Sequence, residues 1–191
     1  MNIGLFFGSF NPIHVGHLII ANTMAEQPAL DQVWFIVSPQ NPFKKKSSLL
    51  HEFDRMQMVR LAIADNPSLN ASDIEFHMPK PSYTIDTLAY LTDKYPQHRF
   101  RLIMGEDNLQ HFHKWKNHEV VLSDFGLMVY PRPNATFPEG WKSHPNIQWV
   151  EAPEVDISAT FIRKAVQAGR SIKYLVAGEV EDYIKSKHFF E

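Results

Sequence analysis

Apolar residues fall along this chain in two patterns: short unbroken runs, and longer stretches in which they recur every three or four positions. Ile3-Gly4-Leu5-Phe6-Phe7 is of the first kind, as expected of a strand buried on both faces. From about Val15 the period lengthens, with Leu18, Ile19, Thr23 and Met24 at helical spacing until Pro28 breaks it. Val33 to Val37 is a second buried run. Strand, helix and strand in that order form the βαβ unit of a parallel sheet. Leu50 to Ala64 is helical through Phe53, Met56, Val59, Leu61 and Ile63, with Arg55 and Arg60 as its wet face and Asn66-Pro67 as its stop. Ala71 to Phe76 predicts a strand, Ile85 to Tyr95 a helix and His98 to Met104 a strand, after which Leu109, Phe112 and Trp115 continue at spacing three. Phe125 to Tyr130 and Ile147 to Val150 are the last strands. Ser158 then caps a helix whose apolar stripe is Phe161, Ile162, Ala165 and Val166 and which ends at Gly169, and Glu179 to Lys187 closes the chain. The pattern predicts one doubly wound, Rossmann-like α/β domain over residues 1–191. It has about five or six parallel strands with helices on both faces, and a C-terminal helical part from about 157 to 191 packed on the sheet.

Composition narrows the chemistry. At 191 residues the chain is long enough for a core without metal or disulfide staples, and it has no cysteine, which excludes thiol catalysis and thiolate metal sites. No basic leader precedes Ile3 and no apolar run approaches ~18 residues, so a cytoplasmic location and no membrane partner are expected. A net charge of −2 argues against nucleic acid as partner.

The informative turn follows the first strand: Gly8-Ser9-Phe10-Asn11-Pro12-Ile13-His14-Val15-Gly16-His17. Strand, glycine, proline and helix start in that order make an anion site of unpaired helix N–H groups. His14 and His17, three apart, share the first turn, and Gly16 between them carries no side chain to obstruct what they hold. The turn matches neither the P-loop nor the dinucleotide fingerprint. A zinc reading lacks a third ligand and the H-E-x-x-H pattern, and no nucleophile elbow is present. Residues 38–48 form a polar, proline-interrupted loop at the carboxyl end of the second strand, where α/β sheets bind ligands. Of its three lysines, Lys45 and Lys46 read as solvated charge and Lys44 as a phosphate contact. Tyr83-Thr84 starts a helix whose hydroxyls are ordinary caps or a second anion site, Asp107 is a cap or a ribose acceptor, and Trp115 is core or stacks on a ring. Phosphoryl or nucleotidyl transfer needs donors around phosphate oxygens and in-line placement. His14, His17, a lysine near 44 and Arg163 supply such a set, each well-placed donor being worth on the order of 3 kcal/mol of barrier.

The Gly8 to His17 stretch resembles the G-x-F-x-P-x-H-x-G-H signature of the nucleotidyltransferase superfamily, and Ile157-Ser158-Ala159-Thr160-Phe161-Ile162-Arg163 resembles its I-S-x-T-x-I-R motif. Pro81-Ser82-Tyr83-Thr84, Gly105 to Leu109 with Phe112 and Trp115, and the lysine loop are similar to the bacterial nicotinate mononucleotide adenylyltransferases. That resemblance implies adenylyl transfer from ATP to nicotinate mononucleotide, giving deamido-NAD and pyrophosphate, with Mg²⁺ carried mainly by the ATP phosphates. It implies catalytic roles for His14, His17, Lys44 and Arg163, and ATP contacts from Gly8, Ser9, Phe10, Gly16, Gly105, Asp107, Ile157 and Ser158. Asn41, Tyr83, Thr84 and Trp115 would hold the mononucleotide. Asn11 stands where many members have Asp, and Ala159 where a second Ser is frequent. The alternatives are an adenylyltransferase acting on nicotinamide mononucleotide or phosphopantetheine, a cytidylyltransferase, or a nucleotide-binding regulator without turnover. A homo-oligomer is compatible with all of them.

Overall fold

The computed structural model describes residues 1–39, 49–133, 135 and 139–191. Six parallel strands alternate with helices: β1 (Asn2–Gly8), α1 (Val15–Ala25), β2 (Gln32–Val37), α2 (Glu52–Ala62), β3 (Leu69–Ser72), α3 (Thr84–Lys94) and β4 (Arg99–Gly105). The chain continues through α4 (Glu106–Leu109), α5 (His118–Val120), β5 (Leu127–Tyr130), β6 (Ile147–Trp149), α6 (Ala159–Gln167) and α7 (Gly178–Ser186). The sheet order is β3-β2-β1-β4-β5-β6, every neighbouring pair parallel. Strand order therefore reverses between β1 and β4, and a crevice opens there at the carboxyl edge.

Side-chain alternation splits the core in two. Along β1, Ile3 and Leu5 face one side while Phe6 faces the other; along β2, Trp34 and Ile36 oppose Val33, Phe35 and Val37. Both sides are apolar, hence the unbroken runs in the sequence. The Phe6 face is covered by α1, α2, α6 and α7, through Ile20, Met58, Ile162 and Val180 among others. The Leu5 face is covered by α3 and the 109–125 segment, through Leu88, Leu91, Leu109 and Phe112.

Three departures from the sequence pattern have physical causes. The expected strand over 71–76 stops at Ser72, whose hydroxyl accepts from the Ile74 N–H and turns the chain into a 3₁₀ helix, Ile74–His77. The spacing-three residues after Leu109 form a 3₁₀ turn, Phe112–Lys114, whose period is three, followed by α5 and a π turn, Val121–Phe125. Phe125 thus closes that π turn, and β5 begins only after Gly126 at φ +71°. Finally, Arg55 does not lie on a wet face; it is fully buried.

Candidate active site

At the carboxyl end of β1 the chain makes a turn that is over-determined by packing. Phe10 has φ +45°, a left-handed conformation costly for a bulky side chain. Its ring is buried edge-on against Phe35 and His17, at 5.3 and 5.1 Å between centroids. The ring occupies the space a Cβ on Gly8 would need, with contacts as short as 2.6 Å, so glycine at position 8 makes room for Phe10. Asn11, 4% exposed, accepts from the Leu50 N–H through Oδ1 at 3.2 Å. A neutral amide thus meets the bonding need at that position.

His14 caps α1 and His17 is its third residue. The two imidazoles stack at 3.7 Å and 27°. The His14 N–H donates to His17 Nδ1 at 3.3 Å, so a neutral His17 carries its proton on Nε2. Gly16 serves His14: a Cβ there would lie 3.1 Å from Nδ1, and its absence lets the ring rest on the helix backbone. The Val15 N–H is taken by the Leu175 carbonyl at 2.9 Å, which ties the α6–α7 connection to this helix start. Burial, reinforced by the charge of Arg132, lowers the His14 pKa to about 4, so it is neutral at pH 7.

Arg163, on α6, donates to the Asn11 carbonyl at 2.8 Å and to Thr160 Oγ1 at 3.2 Å. The two signature stretches, at opposite ends of the chain, thus meet at the first turn. Ser158 accepts from the Phe161 N–H at 3.2 Å and so caps α6. Ile157, His14, Gly16, His17, Tyr130 and Arg132 line one narrow crevice. Gly105 ends β4 beside β1, and Asp107, exposed on α4, lies 3.7 Å from Arg132 Nε. Arg132 also stacks on Tyr130 at 5.4 Å. Tyr83 and Thr84 start α3, and neither lines that crevice. Lys116 sits 4.9 Å above the Tyr83 ring and 2.9 Å from the Asp86 carboxylate, while the half-buried Trp115 before it packs against Phe112 at 5.6 Å between ring centroids. Asn41 and Lys44 lie outside the described residues. A groove of about 540 Å³ opens at the opposite edge, near Asn2 and Arg99, away from the carboxyl ends where such sheets bind ligands.

The sequence reading missed Arg55 and Arg132. Arg55 had a signal: with Met58, Val59 and Ala62 it falls at i, i+3, i+4 and i+7, on the buried stripe of α2. Arg132 had only its place at the end of a strand. Among the described residues no group of three or more His, Asp or Glu could hold a metal ion. The donor set is cationic and N–H-rich, which suits a polyphosphate.

The cytidylyltransferase-like family model matches residues 5–165. A probable nicotinate-nucleotide adenylyltransferase of Cytophaga hutchinsonii is 62% identical over 190 residues, covering 100% of this chain and 98% of the relative. That of Flavobacterium johnsoniae is 53% identical, with 100% of both chains covered. The chain belongs to the nicotinate-nucleotide adenylyltransferase family. A Plasmodium falciparum nicotinic acid mononucleotide adenylyltransferase, complexed with NaAD, shares the family fold with a TM-score of 0.84 at 20% identity, over 99% of this chain and 97% of its own. The chain is thus a nucleotidyltransferase with the six-stranded sheet of that family, and among the described residues no helix is long and apolar enough to cross a membrane.

Proposed function

We propose that this enzyme joins ATP to nicotinate mononucleotide, giving deamido-NAD and pyrophosphate, and that it works in the cytoplasm. The observation that carries this reading is the bond from Arg163 to the Asn11 carbonyl, which sets a guanidinium of α6 on the same turn as His14 and His17. A helix N-terminus, two imidazoles and a guanidinium then face one anion. An oxygen of the mononucleotide phosphate attacks the α-phosphorus of ATP, the bond to the β-phosphate bridging oxygen breaks, and pyrophosphate leaves. His17, donating through Nε2, stabilises the charge that develops on the α-phosphate. His14 and the Gly16 N–H hold the neighbouring phosphate oxygens, and Arg163, with Lys44, receives the leaving pyrophosphate. Ser9 and Phe10 border the phosphates, Gly105, Asp107 and Ile157 bound the adenosine, and Ser158 supports the β/γ end by capping α6. Mg²⁺ fits as a passenger on the triphosphate: among the described residues there is no carboxylate cage, and a small hard cation keeps phosphate and water ligands.

Substrate choice is assigned to the start of α3. N–H donors there favour a carboxylate over a carboxamide, and Trp115 stacks on the pyridine ring. Asn41 joins this subsite. Pyrophosphate release should be measured with ATP, Mg²⁺ and each of nicotinate mononucleotide, nicotinamide mononucleotide and phosphopantetheine. Turnover is expected with the first, at a higher kcat/KM than with its amide. ATP binding without turnover on any acceptor would favour a regulator, and equal kcat/KM for acid and amide would remove the role given to Tyr83 and Thr84.

A further inference from the structure

A buried side chain outside both signature stretches also holds this turn. Arg55 is fully buried on α2, and its guanidinium donates to four main-chain carbonyls: Ser9 at 2.6 Å, Ser38 at 2.7 Å, Pro39 at 3.0 Å and Leu50 at 2.9 Å. Burying a guanidinium against neutral dipoles is expensive, and a well-packed apolar side chain of similar volume is often as stable or more so. Burial also lowers its pKa to about 10. It stays charged at neutral pH, held by carbonyls at the ends of β1 and β2 and at the entrance to α2.

We infer that Arg55 is a positioning residue of the phosphate turn, fixing the orientation of the Ser9–Phe10 peptide and with it the N–H that the turn presents to a phosphate. In a planar trans peptide the carbonyl and the N–H point in opposite directions. Arg55 draws the Ser9 carbonyl toward α2, so the Phe10 N–H points away from α2. Phe10 is the residue at φ +45°, and a strained backbone persists only where its surroundings leave it no alternative. The buried ring holds one end of that residue and Arg55 holds the peptide before it. A chain of bonds extends the clamp: Arg55 Nε donates to the Leu50 carbonyl, the Leu50 N–H donates to Asn11 Oδ1, and the Asn11 carbonyl accepts from Arg163. Guanidinium groups of α2 and α6 thus grip the turn through its carbonyls.

The inference rests on the nucleotidyl-transfer reading and deepens it. Its test compares wild type, Arg55→Lys and Arg55→Gln, with Met58→Ala as an α2 control for plain loss of packing. Turnover is measured per folded molecule, and binding of α,β-methylene-ATP is measured by calorimetry. Lysine keeps the charge but cannot reach four carbonyls from one planar fork. Both Arg55 variants should lose on the order of 10- to 100-fold in kcat/KM, mainly in kcat, and bind the analogue more weakly. Met58→Ala should lose stability and keep its kcat. Wild-type kinetics in folded Arg55→Lys would overturn the inference. If wild type itself does not turn over, the reading of the reaction fails, and analogue binding by Arg55→Lys against wild type still decides the role of Arg55. Should neither Arg55 variant fold, the Phe10 amide resonance of the wild-type protein decides: it shifts on analogue binding if the turn presents that N–H, and a stationary signal overturns the inference.

Discussion

His14 rests on Gly16, stacks on His17 and lies near the charge of Arg132, and these surroundings make the protonated ring unfavourable in the native protein. Its pKa falls from the ordinary 6.5 to about 4. Between those values the unfolded chain binds a proton that the native state refuses, so stability rises with pH across that window. The contribution is complete above about pH 6.5 and is lost as pH falls toward 4, amounting to about 3 kcal/mol. Urea unfolding of wild type and His14→Asn at several pH values checks this: the variant should lack that part of the slope, and equal slopes would refute it. His17→Ala should lower kcat about a hundredfold with a smaller effect on stability, read from turnover and a melt of the same sample. Much at this scale was legible. His14, His17 and Arg163 stood in recognisable spacings, but the reason for Gly16 did not, because it depends on where the His14 ring lies. Arg55 was misread since charge suggests solvent, although its helical register pointed inward.

At the level of elements, the start of α3 is braced from behind by a buried acid. Glu75, 2% exposed in the 3₁₀ turn after β3, accepts from the Thr87 hydroxyl at 2.8 Å. Burial pushes its pKa up, while the hydroxyls of Thr87, Ser38 and Ser82 offset part of that. A raised native pKa gives stability that is present below the unfolded value and declines as pH rises through the native one. Glutamine mimics the protonated acid, so Glu75→Gln should gain on wild type with rising pH and melt a few degrees higher at pH 8. It should keep the acid-over-amide preference, since the start of α3 is unchanged. A variant that melts lower than wild type at pH 8 would mean that the carboxylate is ionised and needed in that form. No periodicity announces this brace. Ala71 to Phe76 looks like one strand, and only the Ser72 hydroxyl, satisfied locally, shows why the chain turns before Glu75. The 109–125 segment was opaque for a related reason: its 3₁₀ and π turns follow tertiary packing around Phe112, and their periods match neither template.

Across the whole molecule, a parallel sheet of five or six strands followed from the alternation of runs and helical stretches, whereas the sixth strand and the meeting of β1 with β4 are seen only in the fold, the latter depending on which faces α1, α2 and α3 cover. All four tryptophans, Trp34, Trp115, Trp141 and Trp149, belong to the α3 side of the sheet, while α6 and α7 lie on the other. This distribution tests the reading of residues 1–191 as one cooperative unit. Ile184 of α7 is 2% exposed in the first cluster, among side chains of α1, α2 and α6. Ile184→Ala should cost roughly 2–4 kcal/mol through lost burial and the cavity left behind. If the sheet couples its two faces, tryptophan fluorescence, which reports the opposite side, must shift its denaturant midpoint as far as far-ultraviolet circular dichroism does. A fluorescence transition left at the wild-type midpoint, with only the dichroism moved, would make the C-terminal helices a separate folding unit. Coincident shifts are expected, because Leu175 holds the α1 N-terminus through Val15 and the Tyr183 hydroxyl donates to Asp54 of α2 at 2.9 Å, so the last helices cannot leave without releasing the α1 start and α2.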